Sequence, residues 1–466
     1  MKDSLLASRS NLFLAAGPIG AVLIFFYALH QTPLESAAAA TAAVTFWCAV
    51  WWLTEPIPIP VTSLLPLALL PLAGALTPAQ VAESYGSPLI LLLLGGFMLS
   101  GALARCGAHR RLALGMIRLC ARLGPRGLVL GFMLAASGLS MWISNTATTL
   151  MLLPVALAVL EDQRFRHLTI PLLLGTAYAA SLGGTATPIG TPPNLIYMQV
   201  SADQFGTTTS FPMWMSWGIP IVILMLPLVF LWLTRSVRSG AMPEIDSPGP
   251  WQRAEIRVAL VFAVTAALWI TRSAPFGGWQ TWLDLPQAND AAVALLAVVA
   301  LCCIGNGDRE RPGRLLDWET AGAIPWGVLI LFAGGITIAR AFMETGLSDA
   351  LAGQLTILAE LPTWVMILSI CLGVTFLTEM TSNTATTALL MPVLAATATA
   401  TGVAPELLMV PAAISASCAF MLPVATAPNA VIYGSGKVSI RRMASEGLVL
   451  NLIGAVVITS VMLLRF

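Results

Sequence analysis

Charge is scarce in this chain. Only 10% of its 466 residues are charged, 57% are hydrophobic, and the mean hydropathy is +0.85. A soluble domain carries about 25% charged residues, so an ordinary soluble fold is excluded. Histidine is scarcer still: His30, His109 and His167 are the only three, each near the end of an apolar run. None of the seven cysteines forms a CxxC pair. No metal constellation and no nucleophile–base pair can be assembled from such a set, and the cysteines read as small buried hydrophobes. The net charge is +1 without a basic stripe, which excludes a nucleic-acid partner. What the chain has instead is apolar runs near 20 residues from end to end, each long enough for a helix to cross a bilayer. The run at 12–30 would pass for a signal peptide alone, but the many later runs make it the first transmembrane helix. The expected fold is an all-α, polytopic membrane protein.

The second feature is internal repetition. Ser-Asn-Thr-Ala-Thr-Thr occurs at 144–149 and again at 382–387, 238 residues later, and both copies run on to a proline, Pro154 and Pro392. Gly95-Gly96 returns as Gly334-Gly335, and Thr191-Pro192-Pro193-Asn194 returns as Thr426-Ala427-Pro428-Asn429. The chain is therefore two halves, each with a polar, helix-breaking motif inside apolar sequence. Repeats of this kind point to a transport site at their interface.

Basic residues set the topology. The apolar segments are 12–29, 38–53, 61–76 and 88–104, then 127–160 (split by Ser-Asn-Thr) and 168–200 (split by Gly183-Gly184 and the prolines at 188–193). They continue with 217–234, 258–270, 291–304 and 324–338. Last come 363–396 (split by the second Ser-Asn-Thr), 407–436 (split at 423–428) and 447–464. If 127–160 and 363–396 are hairpins that enter and leave on one face, 20 of the 23 Lys and Arg fall on one side. Only Arg272, Arg340 and Arg465 remain on the other. The positive-inside rule then gives a cytoplasmic N-terminus, an external C-terminus and two re-entrant hairpins. The amphipathic stretch 105–126 has six arginines and no acid, whereas its counterpart 340–362 pairs Arg340 with Glu344, Asp349 and Glu360. One belongs inside and the other outside, so the repeats are inverted. The expected division is 1–126 and 235–362 as membrane helices with an interfacial helix. The stretches 127–234 and 363–466 are the regions that carry hairpin and broken helix.

Polar tips at membrane depth survive only within protein or against water. Asn amides and Ser/Thr hydroxyls supply donors and acceptors, and carbonyls of unwound backbone coordinate cations. Glu379 is the one ionisable residue well within a split segment, and Glu55 lies near a span end. Proton relays show several buried carboxylates or histidines, so coupling to a metal cation held by neutral oxygens is favoured. Glu379 either tunes such a site or is a hydrogen-bonded structural carboxyl. A channel or an integral-membrane enzyme fits these features less well than a carrier.

These motifs, over nearly the whole chain, resemble the divalent anion/sodium symporter family of dicarboxylate, citrate and sulfate carriers. The resemblance rests on the paired Ser-Asn-Thr, on Gly190-Thr191-Pro192-Pro193-Asn194, and on Ala425-Thr426-Ala427-Pro428-Asn429 followed by Gly434-Ser435-Gly436. It implies about eleven transmembrane helices plus two re-entrant hairpins. It also implies a homodimer in the inner (plasma) membrane, with static scaffold domains and transport domains that move as elevators. By the same resemblance, a first sodium site maps onto Ser140, Ser144, Asn145 and the Gly190 carbonyl. A second maps onto Thr378, Thr381, Asn383 and the Ala425 carbonyl. Substrate contacts map onto Asn145, Thr146, Thr191, Ser382, Asn383, Thr384 and Thr426. Thr191 stands where many dicarboxylate members carry Ser, and Ala427 where a proline is common. The expected activity is sodium-coupled import of C4 dicarboxylates such as succinate, malate and fumarate. The alternatives are a sodium-independent dicarboxylate exchanger and a sodium-coupled citrate or sulfate carrier.

Overall fold

The computed structural model describes residues 2–32, 34–237, 249–273, 277–310, 312–355 and 360–466. Among them the regular structure is helical, with no β-strand. Among the described residues eight helices are long and apolar enough to cross a membrane, from Leu12–Gln31 to Ile440–Arg465, and five shorter apolar helices accompany them. The all-α membrane architecture read from the sequence is the one observed.

Both Ser-Asn-Thr motifs sit at helix–break–helix turns. Pro125–Ser140 is followed by Asn145–Glu161, and Thr363–Thr378 by Asn383–Thr401. A 16-residue helix rises about 24 Å, short of the ~30 Å hydrocarbon core, which suits tips at membrane depth. Ser144 N-caps the second arm of the first turn by accepting from the Ala147 N–H at 3.1 Å. The two later breaks differ from expectation. The first runs over 185–191, between Thr169–Gly184 and Pro192–Phe205. The second begins at 416, well before the expected 423, and ends where Ala427–Gly434 starts. The reason is that Pro192, Pro193 and Pro428 occupy first-turn positions, where a missing N–H is no loss. They start helices rather than break them.

The Gly-Gly pairs let helices touch backbone. A Cβ on Gly334 would lie 2.6 Å from the Ser63 carbonyl oxygen, and one on Gly95 would lie 2.6 Å from Ala294 Cβ.

Ion pairs divide the molecule into two faces. On one, Arg111 meets Glu255 at 2.8 Å, Arg105 meets Asp317, and Glu446 takes Arg235 and Arg442 at 2.9 and 2.6 Å. At the far ends of the same helices lie Arg272, paired with Asp290 at 2.6 Å, and Arg465, bonded to Ser216 at 2.8 Å. Arg340 pairs with Glu83 at 2.7 Å. The helix 440–465 thus carries Arg442 and Glu446 at one end and Arg465 at the other. Arg238 and Arg311, counted with the basic face, lie outside the described residues, as do the side chains of Lys2 and Arg9. The end of the second amphipathic stretch, 356–359, lies outside them too.

The positive-inside rule leads to the expectation that the arginine-rich face is the cytoplasmic one. Cysteines placed singly at Arg118 and Asp349, with the native thiols replaced, should therefore react with an impermeant maleimide from opposite sides of the membrane. Labelling of both from one side would refute the topology.

Candidate functional site

The two halves bring the same chemistry together twice. In the first turn the Ser140 hydroxyl donates to Asn145 Oδ1. In the second the Thr378 hydroxyl donates to Asn383 Oδ1 at 2.6 Å, and the Thr378 hydroxyl also lies 3.2 Å from the Ala416 carbonyl oxygen. Ser140 and Thr378 are fully buried. Around the first pair, Gly184 leaves room that no other residue would: its Cβ would fall 2.6 Å from Asn145 Oδ1 and 3.0 Å from the Gly190 carbonyl oxygen. Hydroxyl, amide and carbonyl oxygens thus converge on a space without a charged group, the donor set suited to a sodium ion. Thr381 is turned instead toward its own turn, donating to Leu377 O at 2.9 Å and lying 2.6 Å from the Thr386 hydroxyl.

Both turns and both broken helices line one cavity of about 730 Å³. Its walls include 144–147, 189–192, 380–384 and 424–428. All seven residues expected to meet the substrate are therefore on its surface, and Gly190 and Ala425 with them. Ser140 and Thr378 lie behind the wall. Thr191 on the cavity wall meets the buried Ser417 of the other half at 3.3 Å between hydroxyls. The Thr426 hydroxyl accepts from the Asn429 N–H at 3.3 Å, capping its helix.

The unwound segments need partners for their backbone groups, and side chains supply them. Asn194 Nδ2 donates to Gly184 O at 3.0 Å and Thr187 O at 2.7 Å. Asn429 Nδ2 donates to Ala419 O and Leu422 O, both at 3.1 Å. These are corresponding positions in the two halves. Their signal was the asparagine ending each Thr-x-Pro-Asn repeat, whose structural role the motif reading passed over. Trp214 Nε1 reaches Thr185 O at 2.9 Å, and the Tyr178 hydroxyl reaches Phe420 O at 2.7 Å. Ser417 and Asn451 carried no sequence signal.

Glu379 has a defined place. It accepts from the Met421 and Leu422 N–H groups, both at 2.9 Å, and from Asn451 Nδ2 at 2.7 Å. Asn451 Oδ1 in turn accepts from the Phe420 N–H at 3.1 Å. The carboxylate is a latch between the second turn and the second unwound segment. At the equivalent place in the first half a neutral latch stands: the Thr187 hydroxyl donates to the Met141 carbonyl.

Comparison with known proteins agrees with this geometry. A family model described as "Citrate transporter" matches residues 49–410. The chain is 40% identical over 441 residues to the sodium-dependent dicarboxylate transporter SdcS of Staphylococcus saprophyticus, covering 90% of this chain and 84% of that one. It is 39% identical over 461 residues to SdcS of Staphylococcus aureus, covering 94% and 87%. The chain belongs to the citrate transporter family. The resemblance to the divalent anion/sodium symporters is borne out, and the protein is a transporter rather than an enzyme. Two solved structures share the fold at low identity. The Alcanivorax borkumensis YdaH transporter superposes with a TM-score of 0.58 at 16% identity, over 82% of this chain and 86% of that one. Neisseria gonorrhoeae MtrF superposes with 0.55 at 14%, over 82% of each.

The latch makes a stability prediction. Glu379→Ala leaves two backbone N–H groups and the Asn451 amide without an acceptor, and each buried orphan costs about 1–3 kcal/mol. Its thermal-unfolding midpoint in detergent should fall well below that of the native chain and below that of Thr187→Val, which removes one hydroxyl. An unchanged midpoint for Glu379→Ala would dispose of the latch.

Proposed function

We propose that this protein is a secondary-active symporter that uses a sodium gradient to import C4 dicarboxylates such as succinate, malate and fumarate. The observation that carries the reading is the doubled geometry. Ser140–Asn145 and Thr378–Asn383 repeat the same hydroxyl-to-amide bond at corresponding positions, and both turns open on one cavity. The relatives named sodium-dependent dicarboxylate transporters support the same ion and substrate class. Two sodium ions would sit at Ser140, Ser144, Asn145 and Gly190, and at Thr378, Thr381, Asn383 and Ala425. Substrate carboxylates would meet Asn145, Thr146, Thr191, Ser382, Asn383, Thr384 and Thr426. The donor chemistry supports this division. A dicarboxylate carries two charges whose unpaired burial costs several kcal/mol each. Cations beside it offset that cost, and hydroxyls and amides fix its orientation.

On this reading the halves are inverted repeats, with about eleven membrane helices, two re-entrant hairpins and a cytoplasmic N-terminus in the plasma membrane. The regions 127–234 and 363–466 form a transport domain, supported by packing of Thr169–Gly184 on Ala427–Gly434 and of Phe211–Thr234 on Ile440–Arg465. The regions 1–126 and 235–362 form the scaffold, supported by packing of Pro88–Cys106 on Asp290–Cys303. The transport domain would travel as an elevator against a scaffold held in a homodimer. The family description favours citrate as a second substrate to be tried beside succinate.

Uptake of labelled succinate, citrate and sulfate into vesicles, with and without a sodium gradient, tests the proposal. Asn145→Ala and Asn383→Ala should each abolish sodium-dependent uptake while leaving folded protein, as judged by size-exclusion chromatography. Normal uptake with an unchanged sodium requirement in either variant would refute that asparagine's role, and counterflow indifferent to sodium in the native chain would favour an exchanger.

Pocket shape gives a second prediction. Thr191→Ser removes one methyl and keeps the hydroxyl that faces Ser417. One methyl in a pocket discriminates by about 1–3 kcal/mol, so the ratio of succinate to citrate uptake should shift by roughly tenfold. An unchanged ratio would take Thr191 out of the substrate pocket.

A further inference from the structure

Glu55 is an outlier in two respects. It ends the helix Ser36–Thr54 with φ 46° and ψ 47°, its N–H bonded to Trp51 O at 2.9 Å. Among the described residues only Glu55 and Asp284 are non-glycine residues with positive φ. A left-handed conformation is costly for a residue with a Cβ, and glycine is the ordinary choice at this cap. Strain of this kind, retained at a cavity wall, points to a use for the side chain.

The second respect is charge. Glu55 is the one ionisable residue among the described lining of the central cavity, and no Lys, Arg or His faces it there. Its side chain is exposed and makes no hydrogen bond or ion pair among the described residues. The wall around it places it at the mouth. Ser100, Ala323 and Pro325 also line the cavity. Ser100 lies one turn before Arg105, which holds Asp317 and reaches the Thr320 hydroxyl at 3.4 Å. Asp317 is held below the usual carboxylate range, first by the Thr320 N–H and hydroxyl and then by Arg105. The cavity therefore opens toward the arginine-rich face, with Glu55 as the fixed charge at its opening.

We propose that Glu55 is a charge-selecting residue at this mouth. Its carboxylate attracts the coupling cation and repels the dianion, so on this face it hastens substrate departure and opposes re-entry. The proposal rests on the carrier reading above. A fixed unit charge beside a divalent anion has an effect set by separation and local dielectric, and salt screens it.

The test is transport kinetics in two orientations. In inside-out vesicles, which present the arginine-rich face to the medium, Glu55→Gln should lower the succinate concentration for half-saturation about three- to tenfold and raise that for sodium. The change in whole cells should be smaller, and raising the ionic strength with choline chloride should shrink it. Glu55→Gly relieves the backbone strain and removes the charge, so it should follow Gln. Glu55→Asp should follow the native chain. Equal shifts on both faces, no shift, or Asp behaving like Gln would overturn the proposal while native transport leaves the carrier reading intact. A native chain that takes up none of the anions tested would overturn both.

Discussion

Backbone that leaves the helix inside a membrane must find hydrogen-bond partners within the protein. In hydrocarbon each unsatisfied N–H or C=O costs several kcal/mol, and besides the two Ser-Asn-Thr turns the described chain leaves the helix over the longer stretches 185–191 and 416–426. The rest of the interior is arranged to meet that requirement. Asn194 and Asn429 each hold two carbonyls of their own segment. Trp214 and Tyr178 bring donors from other helices, and Glu379 with Asn451 takes the N–H groups of the second segment. Removing the clamps would leave the freed carbonyls no reason to stay at the cavity, so the clamps come before the site in the causal order.

The clamps also show how far the two halves have diverged. The asparagine clamps correspond atom for atom, as do the hydroxyl–amide pairs at the turns. The latches joining each turn to its unwound segment do not. One is a threonine hydroxyl on a carbonyl, and the other is a buried carboxylate on two amides. Tyr178 adds a tie that runs from the first half to the second without a counterpart. The halves thus share the geometry that presents oxygens to the cavity and differ in the hydrogen bonds that hold each unwound segment.

Much of this was legible in the sequence because period and composition carry it. Apolar runs of spanning length gave the helices, and the repeated hexapeptide gave the turns. The Thr-x-Pro-Asn repeats marked the broken helices, although the prolines suggested breaks where helices begin. Other parts were not legible, since they depend on contacts between distant segments. Asn451 looks like any asparagine in an apolar helix until Phe420 and Glu379 are placed beside it. Ser417 meets Thr191 of the other half only because the second break starts at 416. Glu55 was visible as an acid near a span end, but its backbone conformation and its place at the mouth are tertiary facts.

The electrostatics follow from what the cavity lacks. No Lys or Arg lines it among the described residues, so a bound dianion finds dipoles but no fixed positive charge. Dipoles orient a carboxylate, yet two buried negative charges still require neutralisation. On the proposed reading cations must supply it, and coupling follows as a condition of binding rather than as an added device. The two cation sites are then unequal. Behind the second stands Glu379, both of whose carboxyl oxygens accept hydrogen bonds. Behind the first stands only the Thr187 hydroxyl. On that reading a negative charge at Glu379 would favour cation occupancy of the second site over the first.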